Sequence, residues 1–259
     1  MFELFIFILG TAIGSFLGVV IDRLPRDESL NGRSHCNFCK HNLGVLDLLP
    51  VISFILLNGK CRYCKRKLSW QYPFIEMLTG LLFVMVFIVR YPAGVYLEQD
   101  FYSLLAYLGI VSCAIVIFMV DLKKQIIPDE VQISLFLIVF LLKILQGVSV
   151  TGLGFGLVEG ALVMVPILFL YLLTKGRGMG FGDVKLSFIV GFLLGLKSGL
   201  VALYIAFILG AIVGVLLLVS KKKKMKSKIA FGPYIILGMI MMLFWQETIL
   251  QIIRNIYRI

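Results

Sequence analysis

The sequence predicts an all-α polytopic membrane protein of about eight transmembrane helices, with one small polar loop domain on the cytosolic side. Three observations predict it. Hydrophobic residues make up 60% of the chain and charged residues 15%, with a mean hydropathy of +1.02, whereas a soluble domain is about half apolar by the same count. The apolar residues come in blocks near the length of about 20 that a bilayer crossing needs. Threading those blocks leaves all but five of the 25 Lys and Arg residues on one side, the bias that sets membrane orientation.

The blocks run over 2–21, 73–91, 101–120, 131–149, 154–174, 181–196, 199–219 and 229–247. The first lacks the basic n-region and small-residue cleavage site of a signal peptide, so it reads as a retained anchor. The block from Phe181 spans only if Gly182 and Asp183 lie at its entrance. With the N-terminus outside, the five exceptions are Arg90, Lys143, Lys197, Arg254 and Arg258. The net charge of +11 is then explained by topology and requires no nucleic-acid partner. The run KKKKMKSK at 221–228 reads as an anchor that favours anionic lipid.

The segment 22–72 is the only long polar stretch, and it carries CNFC and CRYC. Cys36, Cys39, Cys61 and Cys64 make two knuckles that can close a tetrahedral thiolate cage for structural zinc. Disulfides are rare in the cytosol, and basic neighbours favour thiolates; redox pairs are the alternative. Within the loop, VLDLLPVISFILL (45–57) is apolar but too short to span, so it lies in the interface or packs on the metal module.

Among 14 carboxylates, Glu76, Asp121, Glu159 and Asp183 lie in or at the edge of apolar blocks. Charges there are costly and ask for a reason. Threading brings Asp121 and Asp183 to the same face at similar depth. If the two meet they can share one proton, one acting as base on a water and the other as acid to a carbonyl. Gly178, Gly180 and Gly182 permit a turn and the close approach of an extended peptide. The structural alternative for Asp183 is a helix cap, and for Asp121 an interfacial charge. Glu76 is a first-turn acid or a site residue. Lys185 is free to pair with an aspartate or a lipid phosphate.

These motifs resemble, in order, those of the bacterial type IV prepilin leader peptidase/N-methyltransferase family, GxGD-type aspartyl proteases. GSFLGVVIDRLP (14–25) is similar to the family's GSFLNVVIxRLP, with Gly18 where many members have Asn. The two CxxC pairs follow, then QYPFIEMLTG (71–80) for YPxxExLTG, DLKKQIIPD (121–129), and GFGDVK (180–185) for GxGDxK. The resemblance implies cleavage of a short basic leader from pilin-like precursors at the cytosolic face of the bacterial cell membrane. It also implies methylation of the new N-terminus with S-adenosylmethionine. Asp121 and Asp183 carry over as the catalytic dyad. Gly180, Gly182, Lys185, Pro128 and Asp129 carry over as motif or substrate-positioning residues, and Glu76 as a candidate for methyl transfer. The expected division is a first helix at 1–21, a methyltransferase-associated zinc loop at 22–72 and a peptidase bundle at 73–259. Two other classes fit parts of the pattern: a transporter with an acidic relay, and a scaffold that docks through a zinc module.

Overall fold

The computed structural model describes residues 1–92, 98–220 and 230–257; the basic run at 221–228 lies outside them. Its chain is all-α, with isolated bridges at His35–Asn42 and Lys60–Lys67 as the only β pairing among the described residues. It divides into two compact units, residues 1–96 and 97–259.

The first unit holds α1 (Phe2–Arg23), the short α2 (Ile52–Leu56) and α3 (Gln71–Arg90). The segment at 73–91 therefore packs on the first helix. Glycines make that crossing close. A β-carbon on Gly10 would sit 2.8 Å from the Gly80 Cα, and one on Gly14 would sit 2.7 Å from the Glu76 Cα. Small residues that let backbones approach are the usual adhesive of membrane helices, where apolar side chains gain nothing by leaving lipid. The stripe Gly10, Gly14, Gly18 thus lays α1 along α3 and fixes the height of Glu76. Ile6, Ile21, Ile75 and Phe83 fill the seam.

The second unit holds α4 (Glu98–Lys124), α5 (Asp129–Leu145), α6 (Val150–Thr174), α7 (Phe181–Leu194), α8 (Leu196–Val219) and α9 (Gly232–Tyr257). Ile110, Ile117, Leu135, Leu186, Phe192, Ile235 and Met239 form its core. α6 and α7 cross at Gly160 and Gly191, where a β-carbon on Gly191 would meet Val163 Cβ at 2.6 Å. Ser149 caps α6 by accepting the Gly152 N–H at 3.2 Å.

Each of the eight expected apolar segments holds a helix, and among the described residues six helices are long and apolar enough to cross a membrane. The chain is a multi-pass membrane protein. α5 and α7 fall short, with 17 and 14 residues. α5 cannot start before Pro128, which stands at its N-cap with no N–H to give. α7 is confined between the glycine loop and Gly195, whose φ of +82° only glycine adopts cheaply. At 1.5 Å per residue α7 rises about 21 Å, less than a hydrocarbon core of about 30 Å.

Candidate functional site

Two places in the chain gather chemistry, one in each unit.

In the second unit, Asp121 closes the last turns of α4 and Asp183 stands in the first turn of α7. Both are buried, at 4% and 6% exposure, and the Asp121 carboxylate acts electrostatically on that of Asp183. Gly180, not Asp183, is the N-cap of α7. Asp183 uses one oxygen locally: Oδ2 accepts the Gly180 N–H at 3.0 Å. Its Oδ1 is buried without a partner, and so is Asp121 Oδ2. A cap needs one oxygen, so capping accounts for half of this carboxylate.

Ile127 is the spacer around which the site is built. A β-carbon on Gly182 would lie 3.1 Å from Ile127 Cβ, and one on Gly232 would lie 2.9 Å from Ile127 Cδ1 and 2.7 Å from Asp121 Oδ2. The N–H of Gly232, at the start of α9, also faces the Asp121 carboxylate. Gly180 supplies the cap and Gly182 the clearance. Pro128 sets the start of α5. Lys185 and Asp129 form a pair, Nζ to Oδ1 2.8 Å and Oδ2 2.9 Å, that ties α7 to α5 at the exposed rim.

Sequence reasoning did not single out Gly232 or Gln132. Gly232 had a signal in FGPY (231–234), a Gly-Pro step opening an apolar block. Gln132 is a lone amide near the start of one.

In the first unit the four cysteine sulfurs lie within 4.8 Å of one another, with Cys36 and Cys64 at 3.9 Å. The two knuckles share one backbone pattern. Cys36 N–H donates to His41 O at 3.0 Å and Cys61 N–H to Arg66 O at 2.9 Å. Lys40 and Lys65, each four residues after the first cysteine, both have φ of +57°. Zinc–sulfur bonds of about 2.3 Å put tetrahedral sulfurs about 3.8 Å apart, so the cluster fits the ion. Burial opposes ionisation of Cys36, but the N–H groups of Cys39 and Phe38 together with the thiols of Cys39 and Cys61 outweigh it and bring the thiol down to about 7. His35 and His41 are not in the cluster; His41 lies against the Tyr63 ring, centroids 3.7 Å apart. Asp47 braces the module by accepting from Gly44 N, Arg62 Nε and Tyr63 Oη at 3.1, 2.6 and 3.2 Å. The apolar stretch 45–57 is part buried and part exposed. Phe54 is buried and meets Trp70, while Val45, Leu46, Ile55 and Leu56 are exposed.

Beside this module lies a cavity of about 740 Å³ whose wall includes Ser15, Asp22, Phe54, Tyr72 and Glu76. Glu76 Oε2 accepts the Val51 N–H at 2.7 Å, and Ser15 donates to the same carboxylate. Val51 has φ of +61°, an outlier for a β-branched residue, of the kind found where a site constrains the backbone. Tyr72 Oη donates to Asp22 Oδ2 at 2.6 Å and accepts from Asn37 at 3.2 Å.

Residues 8–90 match the Bacterial Peptidase A24 N-terminal domain, and residues 108–215 match the Type IV leader peptidase family. A prepilin leader peptidase/N-methyltransferase of Aeromonas hydrophila is 30% identical over 94% of this chain and 91% of its own length. The chain belongs to the type IV leader peptidase family. A protein of the same description from Bacillus subtilis is 29% identical over 95% of each chain, and one from Stutzerimonas stutzeri is 29% identical over 96% of this chain. No solved structure matches. The two family matches fall one in each compact unit, the first over the cysteine cluster and the cavity, the second over both aspartates.

The sulfur geometry yields a prediction independent of activity. Purified protein carries about one zinc per chain by elemental analysis. Replacing Cys36 and Cys39 with Ser removes it and makes 22–72 protease-sensitive. Full metal content in that double variant contradicts the assignment.

Proposed function

We propose that this chain removes the short basic leader from type IV pilin-like precursors, using Asp121 and Asp183 as a proton-sharing dyad, and methylates the amino terminus so exposed. The observation that carries the first half is the pair of buried carboxylates from α4 and α7, each with one oxygen left without a partner. Two carboxyls sharing one buried site do not both ionise readily, so the proposed dyad holds one proton between them.

The chemistry follows from that shared proton. The ionised carboxylate takes a proton from water, and the oxygen attacks the scissile carbonyl. The protonated carboxyl gives its proton to the carbonyl oxygen. The tetrahedral gem-diol then collapses: one hydroxyl returns its proton to the second carboxylate as the C=O re-forms, the C–N bond breaks, and the leaving amine takes up the proton the first carboxylate had gained. Gly182 and Gly232, without side chains, let Ile127 and Asp121 pack against their backbones and so set the position of the dyad. Both aspartates lie on the side that holds most of the basic residues, which supports a cytosolic reaction with the N-terminus outside.

The methylation half rests on the relatives' names together with the cavity beside Glu76. Its volume is in the usual range for a small-molecule site. Asp22, Tyr72 and Phe54 offer a carboxylate, a hydroxyl and an aromatic face fit for a cationic, adenosine-bearing ligand. Bound there, S-adenosylmethionine would supply an electrophilic methyl group. The protein must free the acceptor's α-ammonium of a proton, and Glu76, held by Val51 and Ser15, is the placed base. Cys36, Cys39, Cys61 and Cys64 would hold zinc as a structural brace for this wall and take no part in the transfer.

Two outcomes test the assignment. Asp121→Asn or Asp183→Asn, at equal membrane abundance, lowers cleavage of a pilin-like precursor by about 10²–10⁴-fold, while the fold survives because Asn can still accept the Gly180 N–H. Near-normal cleavage by either variant rules out the dyad. Glu76→Gln leaves cleavage within about twofold and abolishes the methyl group on the product by mass spectrometry. A normally methylated product would remove Glu76 from the chemistry.

A further inference from the structure

We propose that Gln132 is a positioning residue that holds the substrate's main chain beside the dyad, through a paired hydrogen bond to one extended residue: the N–H of the peptide bond next to the scissile one and the C=O of the same residue. This rests on the peptidase reading above. Gln132 lies in the first turn of α5 and is 3% exposed, yet neither its Nε2 nor its Oε1 has a partner. Its amide nitrogen is 3.5 Å from where a β-carbon on Gly182 would sit. The side chain is therefore aimed at the bare backbone that precedes Asp183. Together with Asp183 Oδ1 and Asp121 Oδ2, it gives α5, α7 and α4 each an unpartnered buried polar group, and Ile127, packed on both Gly182 and Gly232, stands between these elements.

A buried amide with nothing to bind destabilises a fold, and an apolar side chain of the same length would cost less. Such a group has a use if a ligand completes it. The carboxamide presents one donor edge and one acceptor edge side by side, the complement of the C=O and N–H that a single residue in extended backbone points to the same side. A substrate stretched across a site at the membrane edge has lost its helical hydrogen bonds and has little water to replace them. Gln132 meets that need without reading a side chain, so it acts on any sequence drawn into extended form. With no side chain at Gly182, the Gln132 amide lies directly against the turn that leads into Asp183.

The test pairs an enzyme variant with a backbone-altered substrate. In the full-length protein, Gln132→Met keeps length and apolar packing but removes both hydrogen-bonding edges. Its thermal stability is equal to or above that of the wild type, while kcat/KM for a precursor falls about 10–100-fold. A precursor with an ester in place of the peptide bond next to the scissile one is a poorer substrate for the wild type by about tenfold, and costs Gln132→Met nothing further. That non-additivity is the signature of a direct contact, and a purely structural role would not produce it. Cleavage by Gln132→Met within threefold of wild type, or equal penalties for the ester in both proteins, overturns the proposal. Should Gln132→Met fail to fold, the ester penalty in the wild type decides, and its absence overturns the proposal equally. Loss of all cleavage by the wild type would instead fail the peptidase reading itself.

Discussion

A carboxylate inside an apolar helical bundle must be hydrogen-bonded, paired or neutral, because its charge has no water to stabilise it. Asp121 and Asp183 meet that constraint only in part. Gly232 N–H faces one and Gly180 N–H caps the other, and each keeps an oxygen without a partner. The rest of the second unit is arranged around this deficit. α4 and α7 bring the two groups to one place. Gly182 and Gly232 let Ile127 pack close to both carboxylates, and the Lys185–Asp129 pair ties the rim. The short α7, fixed between Gly180 and Gly195, sets the depth of Asp183 more firmly than a helix free to slide would. Residual polar groups of this kind are costly for folding and valuable for chemistry, since they await the charge changes of a reaction.

The first unit meets a different constraint with the same economy of side chains. A loop of some fifty residues has too little apolar surface to order itself, and two matching knuckles replace a core with a thiolate cage. Arg23 ties the loop to the end of α1 by donating to the carbonyls of Ser29 and Arg33. The glycine stripe of α1 then presses α3 close, which sets Glu76 against Val51 and the cavity. Cysteine cluster, helix crossing and strained turn are three local devices that fix one wall.

Much of this was legible in the sequence. Block lengths gave the helices, and the C-x2-C spacings gave a cluster that the sulfur distances match. The glycines around Asp183 marked a helix entrance, which is where α7 begins. What could not be read was pairing between distant segments. Nothing in the spacing says that α9 returns Gly232 to Asp121, that Lys185 meets Asp129 and not a lipid phosphate, or that Gln132 is left without a partner. Each depends on a tertiary contact between residues more than fifty positions apart, as with Lys185 and Asp129, or on a group's failing to find one. The close approach of α1 and α3 was also hidden, because a glycine reads as a helix weakness until its neighbour is known.

The account turns on one proton shared between two carboxylates, and the pH dependence of kcat/KM for precursor cleavage tests that most directly. A shared proton requires one carboxyl protonated and the other ionised, so the profile should be bell-shaped, falling at low pH as the base is protonated and at high pH as the acid is lost. In Asp121→Asn and Asp183→Asn the residual activity should lose the bell. A wild-type rate that rises with pH to a plateau, with no descending limb until the protein unfolds, would show a single base at work and contradict the dyad.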